Sequence, residues 1–431
     1  MGVHDELLAR HRAILPQWMA LYYKEPIALV DGEGRYAIDA EGNRYLDFFG
    51  GILTTMTGYR IPDVVAAIKA QADKMLHTST LYLIESQITL AEKIANLSGI
   101  PDAKVFFTNS GTEANDAAVM MATQYRKSNQ VLAMRGSYHG KSHSAVAITG
   151  QRSWSATQLT PFNTVYIQNG AKYRSPFGHL PDDEFIQAIK DDLRDMLRVA
   201  VSGDAACLIA EPIQGVGGFA TPPDGLFGGL KEVLDEEGIL FICDEVQTGW
   251  GRTGEHFWGF QAHGITPDLV TFAKGLGNGL AIAGVVGRAE IIDCLAANSI
   301  STFGGNPLST SGALANLEYL LEHDLQTNAY KVGQQLKDGL HHLAEEVPNI
   351  ANVRGKGLMI GVEFNQPGTM NPDAATTGLV MEEAKAGGML IGKGGIFGNV
   401  LRVAPPLSVT SEEAAEGLEI LSAAVHRAVT G

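Results

Sequence analysis

Cysteine is scarce in this chain of 431 residues, which has only Cys207, Cys243 and Cys294. Three scattered cysteines exclude a disulfide framework and a Cys-x-x-Cys metal site, and no other metal-binding motif is present. The N-terminal segment MGVHDELLARHR contains acidic residues and has no apolar core, so it does not have the pattern of a signal peptide. We therefore expect a protein of a reducing compartment, located in the cytoplasm.

Positive charge and long apolar runs are lacking as well. The chain has 32 lysines and arginines against 48 acidic residues, a formal net charge of −16. This balance argues against nucleic acid as a partner, because such proteins carry basic faces. No apolar run approaches the ~18 residues of a membrane span, so we expect no membrane partner. Only 19% of residues are charged and 45% are hydrophobic, which excludes a disordered chain.

Glycine, by contrast, is abundant, and the apolar residues are grouped in short runs between helical patterns. There are 50 glycines without a collagen-like period, which indicates many tight turns. Short apolar runs that alternate with helices are typical of a parallel sheet buried on both faces. The predicted strands are Lys104–Thr108, Val131–Arg135, Ala145–Thr149, Thr164–Ile167, Ala206–Glu211, Leu240–Asp244, Leu269–Ala273 and Gly284–Gly287.

The change of pattern near residues 60 and 317 predicts two domains in an α/β fold. Residues 58–316 would form a large domain with a mostly parallel sheet flanked by helices. Residues 1–57 and 317–431, from both chain ends, would pack together as a smaller α+β domain.

A small polar turn, Thr108–Thr112, follows the first predicted strand of the large domain and leads into a helix. Ser110 and Glu113 have the spacing of a capping box. Because the free N–H groups at a helix N-terminus attract anions, the turn is a candidate phosphate site. Taken alone, such a turn is more often an ordinary helix cap.

Two other apolar strands end in ionisable side chains. ILFICDE ends in Asp244 and Glu245, and DLVTFAK ends in Lys274 before a glycine-rich loop. In open α/β sheets the carboxyl ends of the strands line the ligand crevice. A carboxylate there could hold a protonated ring nitrogen or a metal, and a partly desolvated lysine can form a Schiff base. Taken singly, each of these residues could equally be a helix cap or a surface residue with no role in ligand binding.

The three features together match the needs of pyridoxal 5′-phosphate: a helix N-terminus for its phosphate, a carboxylate for its ring nitrogen and a lysine for its aldehyde. Over nearly its whole length the chain resembles the class III (omega) aminotransferases, which are fold-type I pyridoxal-phosphate enzymes. The resemblance rests on NSGTEAND (109–116), SYHGK (137–141), EPIQGVGG (211–218), ICDEVQTGWGRTG (242–254), PDLVTFAKGLGNG (267–279), STFGGNP (301–307), RGKGLMIGVE (354–363) and RVAPPL (402–407).

The resemblance implies a catalytic role for two residues. Lys274 would form the Schiff base with the cofactor and then shuttle a proton, while Asp244 would pair with the ring nitrogen. The resemblance also implies that the active site is shared in a homodimer or a dimer of dimers, because Thr302 of one subunit would reach the cofactor phosphate bound in the neighbouring subunit. The implied cofactor-binding residues are Ser110, Gly111, Thr112, Tyr138, His139, Asp244, Val246, Gln247, Lys274 and, across the interface, Thr302.

For the substrate, the resemblance implies that Arg402 binds the carboxylate and that Glu211 can hold this arginine aside. Tyr22 and Ile52 are candidates for the pocket wall. Segments such as LYYKEP (21–26) look most like the type-two alanine–glyoxylate and 3-aminoisobutyrate–pyruvate aminotransferases, which implies an alanine or β/ω-amino acid donor and a pyruvate or glyoxylate acceptor in a ping-pong reaction.

Other functions remain open from the sequence. A 4-aminobutyrate- or ornithine-type aminotransferase using 2-oxoglutarate is one, although Lys141 stands where the 4-aminobutyrate enzymes usually have a second arginine. A related pyridoxal-phosphate decarboxylase or racemase is another. An NAD-dependent oxidoreductase rests only on the G-x-G-x-x-G of residues 249–254, which is a weak pattern because no long helix is predicted after it.

Overall fold

The computed structural model describes residues 3–157 and 161–430. The strands in these ranges are β1 (Leu29–Glu33), β2 (Tyr36–Asp39), β3 (Arg44–Phe48), β4 (Ala103–Thr108), β5 (Gln130–Met134), β6 (Asn163–Ile167), β7 (Ala205–Ala210), β8 (Leu240–Asp244), β9 (Leu269–Phe272), β10 (Ala283–Arg288), β11 (Ile350–Lys356), β12 (Met359–Phe364), β13 (Met389–Gly394) and β14 (Val400–Val403).

The α-helices in the same ranges differ widely in length. They are α1 (Val3–Ile14), α2 (Gly50–Leu53), α3 (Pro62–Ala72), α4 (Glu85–Ser98), α5 (Gly111–Arg126), α6 (His143–Ala147), α7 (Asp182–Val199), α8 (Leu226–Glu236), α9 (Ala289–Ile292), α10 (Pro307–Glu322), α11 (Leu325–Glu346), α12 (Ala374–Ala386) and α13 (Ser411–Thr430). Among the described residues, no helix is both long enough and apolar enough to cross a membrane.

The central sheet has seven strands in the order β4-β10-β9-β8-β7-β5-β6. The pairs from β9 to β6 are parallel, and β10 runs antiparallel to both of its neighbours. Strands β7 (AACLIA) and β8 (LFICD) are buried along their whole length, as expected for strands covered on both faces. The prediction of an α/β fold with a mostly parallel sheet is confirmed.

One predicted strand is wrong. Residues Ala145–Ile148 are buried, but the chain forms the short helix α6 there instead of a strand. Its N-terminus is capped by Ser142, whose hydroxyl accepts a hydrogen bond from the N–H of Ala145 at 3.0 Å. A run of four apolar residues has no periodicity that separates a strand from a buried helical turn, and here the cap decides for the helix.

A second sheet joins the two ends of the chain, with the order β1-β2-β3-β13-β14-β12-β11. The link is made by β3 and β13, which pair in parallel with Leu46 opposite Met389 and Phe48 opposite Ile391. The predicted domain boundary at 316/317 falls inside α10. The division into residues 1–57, 58–316 and 317–431 stays a prediction.

The topology of the central sheet brings five chain segments to one edge. Asp244 is the last residue of β8, and Glu211 directly follows β7. Lys274 lies two residues after β9, Ser110 two residues after β4, and Tyr138 four residues after β5. These strands all end at the same edge because they run in the same direction, so side chains far apart in sequence meet there.

Candidate active site

A cavity of about 200 Å³ lies at this edge of the central sheet. It brings together most of the residues predicted to bind the cofactor, and adds Asn115 and Gly140. Its lining consists of Ser110, Gly111, Thr112, Asn115, Tyr138, His139, Gly140, Glu211, Asp244, Val246, Gln247 and Lys274.

The N-terminus of the sixteen-residue helix α5 forms one end of the cavity. The Ser110 hydroxyl accepts a hydrogen bond from the N–H of Glu113 at 3.3 Å, and the Glu113 carboxylate accepts one from the N–H of Asn109 at 2.9 Å. The backbone N–H groups of Gly111 and Thr112 lie in the first turn, where a helix has no internal acceptors for them. A Cβ at Gly111 would lie 3.1 Å from both methyl groups of Val246, so the glycine keeps this end of the cavity open.

Asp244 is a buried carboxylate held by three neighbours. Its Oδ2 accepts a hydrogen bond from the Asn115 amide at 2.8 Å and lies 2.7 Å from Nδ1 of His139, while its Oδ1 accepts one from the N–H of Val246 at 3.1 Å. The Asn115 amide also donates to the carbonyl of His139 at 2.9 Å. Sequence reasoning missed Asn115, although it stands inside the NSGTEAND segment, one helical turn after Gly111.

Lys274 has an unusual backbone conformation and an altered amine. Its φ is +44°, a left-handed value that is uncommon outside glycine and that concentrates at functional sites. The turn that follows is held by the Asn316 amide, which donates to the carbonyls of Gly275 and Leu276. Removal from bulk water lowers the pKa of Lys274 to about 8, partly opposed by the negative charge of Asp244. A larger fraction of the amine is therefore neutral near pH 7 than in an ordinary lysine.

Glu211 is engaged by backbone groups. Its Oε1 accepts a hydrogen bond from the N–H of Tyr138 at 2.9 Å, and its Oε2 accepts one from the N–H of Gly215 at 2.8 Å. Burial raises the pKa of this carboxyl above its ordinary value, and the nearby Asp244 adds to the shift. Within the described part of the chain, Glu211 makes no ion pair with Arg402.

Arg402 is fully buried and is fixed by aromatic rings and carbonyls. Its guanidinium carbon lies 5.2 Å from the ring centroid of Phe49 and 5.7 Å from that of Phe219. Its Nε donates to the carbonyl of Lys393 at 3.1 Å, and burial lowers its pKa. Tyr22 supports this arrangement, because its ring stacks on Phe49 at 5.2 Å and its hydroxyl donates to the same Lys393 carbonyl at 3.0 Å.

The remaining predicted site residues do not line the cofactor cavity. Ile52 is 44% exposed and has a φ of +64°, and Thr302 is exposed. Lys141 is also exposed, just beyond Gly140. Arg402 lies near enough that its charge helps lower the pKa of Lys274. The individual roles assigned to all these residues stay predictions.

The cavity fits pyridoxal 5′-phosphate. The N-terminus of α5 offers N–H groups and the Ser110 and Thr112 hydroxyls to a phosphate. Val246 and Tyr138 both lie on the walls, and the buried Oε1 of Gln247 has no hydrogen-bond partner among the described residues, which leaves it available to a ring hydroxyl. Residues 246–253 are turns, so the G-x-G-x-x-G segment does not open the helix that a dinucleotide site requires.

An enzyme that uses pyridoxal 5′-phosphate needs a lysine, a carboxylate and an anion cradle around one ring-sized cavity, and both the fold and this site assign the chain to that class. The chain is a pyridoxal-phosphate-dependent transaminase. The family model "Aminotransferase class-III" matches residues 20–425, and the chain belongs to this family.

Similar proteins include aminotransferases and a racemase. The chain is 41% identical over 415 residues to "Alanine--glyoxylate aminotransferase 2 homolog 2, mitochondrial" of Arabidopsis thaliana, covering 95% of this chain and 85% of that protein. It is 35% identical over 434 residues to "Alanine/serine racemase" of Pyrococcus horikoshii, covering 99% and 91%. The solved structure of an (S)-enantioselective omega-transaminase from Thermomicrobium roseum superposes with a TM-score of 0.90 at 31% identity, covering 100% of this chain and 99% of that one.

Proposed function

We propose that this transaminase moves the amino group of alanine, or of a β- or ω-amino acid, to a small 2-oxoacid such as pyruvate or glyoxylate. The donor and the acceptor use the same site in turn, in a ping-pong cycle. The similarity to a protein named alanine–glyoxylate aminotransferase supports this choice of substrates.

The bound cofactor supplies an electron sink for the substrate carbon that loses its proton. Lys274 is the proton carrier, because its amine lies in the cavity and is partly neutral near pH 7. Asp244 keeps a proton on the ring nitrogen, with Asn115 and His139 fixing the direction of its carboxylate. The N-terminus of α5 anchors the phosphate.

The state of Arg402 is the single observation that carries the choice of substrate. Because Glu211 is held by the N–H groups of Tyr138 and Gly215, the guanidinium of Arg402 is not paired with this carboxylate, and its positive charge can attract a substrate carboxylate. A planar guanidinium binds a carboxylate in a bidentate manner. Arg402 lies close to the cofactor cavity, whose described lining contains no arginine, and this favours an acceptor with one carboxylate over 2-oxoglutarate.

We further propose a homodimer or a dimer of dimers with shared sites. Two neighbouring segments expose large apolar side chains: Leu81, Tyr82 and Leu83 are 66%, 69% and 93% exposed, and Ile300 and Phe303 are 47% and 61% exposed. Apolar patches of this kind mark protein interfaces. Thr302 stands between Ile300 and Phe303, where a partner's cofactor phosphate could meet it. The cytoplasmic location also remains a proposal.

A donor–acceptor matrix on the purified enzyme tests the substrate proposal. Alanine, β-alanine, 3-aminoisobutyrate, 4-aminobutyrate and ornithine are each paired with pyruvate, glyoxylate and 2-oxoglutarate, and released carbon dioxide and the chirality of remaining alanine are measured alongside. We expect the highest kcat/KM with pyruvate or glyoxylate. A clear preference for 2-oxoglutarate, or decarboxylation or racemisation faster than amino transfer, would contradict the proposal.

Two variants test the roles of Lys274 and Lys141 separately. Lys274→Ala should abolish repeated turnover and the visible absorbance of the lysine-bound cofactor. Lys141→Ala, the matched control, should leave the pyruvate reaction within about 3-fold of the original rate, because an exposed lysine contributes little binding energy. For the dimer, light scattering of Leu83→Asp should show a shift toward the monomer.

A further inference from the structure

A second cavity, of about 310 Å³, is lined in part by Gln214 and Gly217, which follow Glu211 of the cofactor cavity by a few residues. Its walls come from both sheets: residues 168–175 and 214–221 on the side of the central sheet, and residues of β11, β12 and the 395–400 segment on the side of the second sheet. Within the described ranges, no residue lines both cavities. Its volume is at the lower end of the range for small-molecule pockets.

The lining of this second cavity is unusually basic for a chain with a net charge of −16. Four cations, Arg135, Lys172, Arg174 and Arg354, face one acidic residue, Glu363. Lys172 is neutralised by Asp182, outside the lining, at 2.6 Å. An acidic chain that collects guanidinium groups around one cavity creates a local potential that attracts anions.

Two of the arginines share a single carboxylate. Nε of Arg174 lies 2.5 Å from one oxygen of Glu363, and Nη1 of Arg354 lies 2.6 Å from the other. The Glu363 side chain is only 4% exposed, so this triad is largely withdrawn from water and keeps one uncompensated positive charge. The Arg174 guanidinium is also held over the Phe397 ring at 5.1 Å, which fixes its position without neutralising it.

Arg135 supplies the second uncompensated charge. It directly follows β5, it is one of the residues that line the cavity, and it forms no ion pair within residues 3–157 and 161–430. The lining therefore has an excess of two positive charges, one from Arg135 and one from the cluster of Arg174, Arg354 and Glu363. Amide side chains such as those of Asn169 and Asn352 and the apolar surface of Phe397 complete the walls.

From this arrangement we infer that the cavity between the two sheets binds a small organic or inorganic anion with two negative charges, held between Arg135 and the Arg174–Arg354 pair. Guanidinium groups suit a dicarboxylate or a phosphate, because they form charge-assisted hydrogen bonds with carboxylate and phosphate oxygens. The second cavity is also linked to Arg402, the proposed substrate arginine, through the segment 214–218. Segment 214–218 carries the Gly215 carbonyl that lies 3.4 Å from Arg402, and Gly395 is bonded to Val216 at 2.9 Å. The inference does not depend on which amino donor the enzyme uses.

Isothermal titration of the cofactor-loaded enzyme tests the site. The probes are succinate, which has neither an amino nor a keto group to react, and inorganic phosphate, with propionate at equal ionic strength as the monoanion control. We expect one saturable site per chain for at least one of the two dianions and much weaker binding of propionate. Saturable binding of succinate but not of phosphate indicates that the natural ligand is a dicarboxylate. Saturable binding of phosphate but not of succinate indicates that it carries a phosphate.

Three variants locate the bound dianion. Arg135→Gln removes an exposed guanidinium at the cavity, and Ile396→Glu adds a carboxylate at its rim, where Ile396 is 54% exposed, so neither disturbs the core. Each should weaken binding at least about tenfold, the effect of losing one charged hydrogen bond. Arg12→Gln, on exposed helix α1, is the matched control and should bind as the original enzyme does.

Three results would overturn the inference. The first is the absence of saturable binding for both dianions. The second is an unchanged dissociation constant in both Arg135→Gln and Ile396→Glu. The third is binding that survives in Arg135→Gln but disappears in Arg402→Gln, which would place the anion at the substrate arginine instead.

Discussion

Replacing Asn115 by alanine tests whether the direction of the Asp244 carboxylate controls catalysis. Asn115 is 1% exposed, and its amide joins Asp244 to the carbonyl of His139. Its own carbonyl accepts a hydrogen bond from the Thr271 hydroxyl at 2.7 Å, which fixes the orientation of the amide group. Asn115→Ala removes the donor and leaves Asp244 with His139 and the N–H of Val246.

The size of the effect follows from the kind of bond that is lost. A hydrogen bond to a charged group contributes about 1.5–3 kcal/mol. If this energy serves to hold Asp244 against the ring nitrogen, its loss lowers kcat by about 10- to 150-fold, at 1.36 kcal/mol for each factor of ten. The KM for pyruvate should change much less, because the carboxylate site proposed at Arg402 is untouched.

The assay measures kcat and KM with alanine and pyruvate at saturating cofactor, together with thermal unfolding to confirm that the variant is folded. Thr271→Val is the matched control. It removes the other bond of the same buried amide but no hydrogen bond of the Asp244 carboxylate, so it should reduce kcat less than Asn115→Ala does. A folded Asn115→Ala enzyme with kcat within about 3-fold of the original would refute the reasoning, because even the weakest hydrogen bond to a charged group predicts a larger loss of kcat.

Three more predictions concern the lysine, the arginine pocket and the packing between the two sheets. The rate at which cofactor-free enzyme captures pyridoxal 5′-phosphate should rise with pH with a midpoint near pH 8, because the pKa of Lys274 is lowered and only the neutral amine reacts; a midpoint near 10.5 would contradict the burial argument. Tyr22→Phe should raise the KM for pyruvate about 2- to 10-fold, because it loses the hydrogen bond to the Lys393 carbonyl that orients Arg402, while Tyr45→Phe serves as a control outside the pocket. Arg252→Ala should lower the free energy of unfolding in urea by about 2–5 kcal/mol, because the fully buried guanidinium bonds the carbonyls of Leu358 and Pro405; a change below about 1 kcal/mol would show that these carbonyls find other partners.

Much of the central sheet was predictable because its strands are apolar and end at recognisable polar turns. The predicted strand Leu240–Asp244 matches β8 residue for residue, and Leu269–Ala273 differs from β9 by one residue. The strand predicted at Ala145–Thr149 failed because a short apolar run has no usable period. The cofactor cavity was similarly predictable in its main residues, each of which follows a strand that ends at the same edge.

The contacts of Asn115 and Arg402 were not predictable from the sequence. Asn115 lies on α5, and nothing in its local pattern indicates that it bonds to Asp244, which is 129 residues away. The aromatic rings around Arg402 come from Phe49 and Phe219, on segments that only the pairing of β3 with β13 and the packing of the two sheets bring together. Long-range contacts of this kind depend on the whole topology and have no local signal.

The sequence by itself therefore determined the class of fold and the cofactor, and it placed a lysine and an aspartate at the ends of two apolar strands, because these features depend on local order: an apolar strand, a polar turn, a helix. The tertiary structure decided which partner each charged group has. It assigned Glu211 to backbone N–H groups instead of Arg402, and it gathered Arg135, Arg174 and Arg354 around a second cavity. The net charge follows from the composition of the chain, but which charged groups neutralise one another depends on distances that only folding sets.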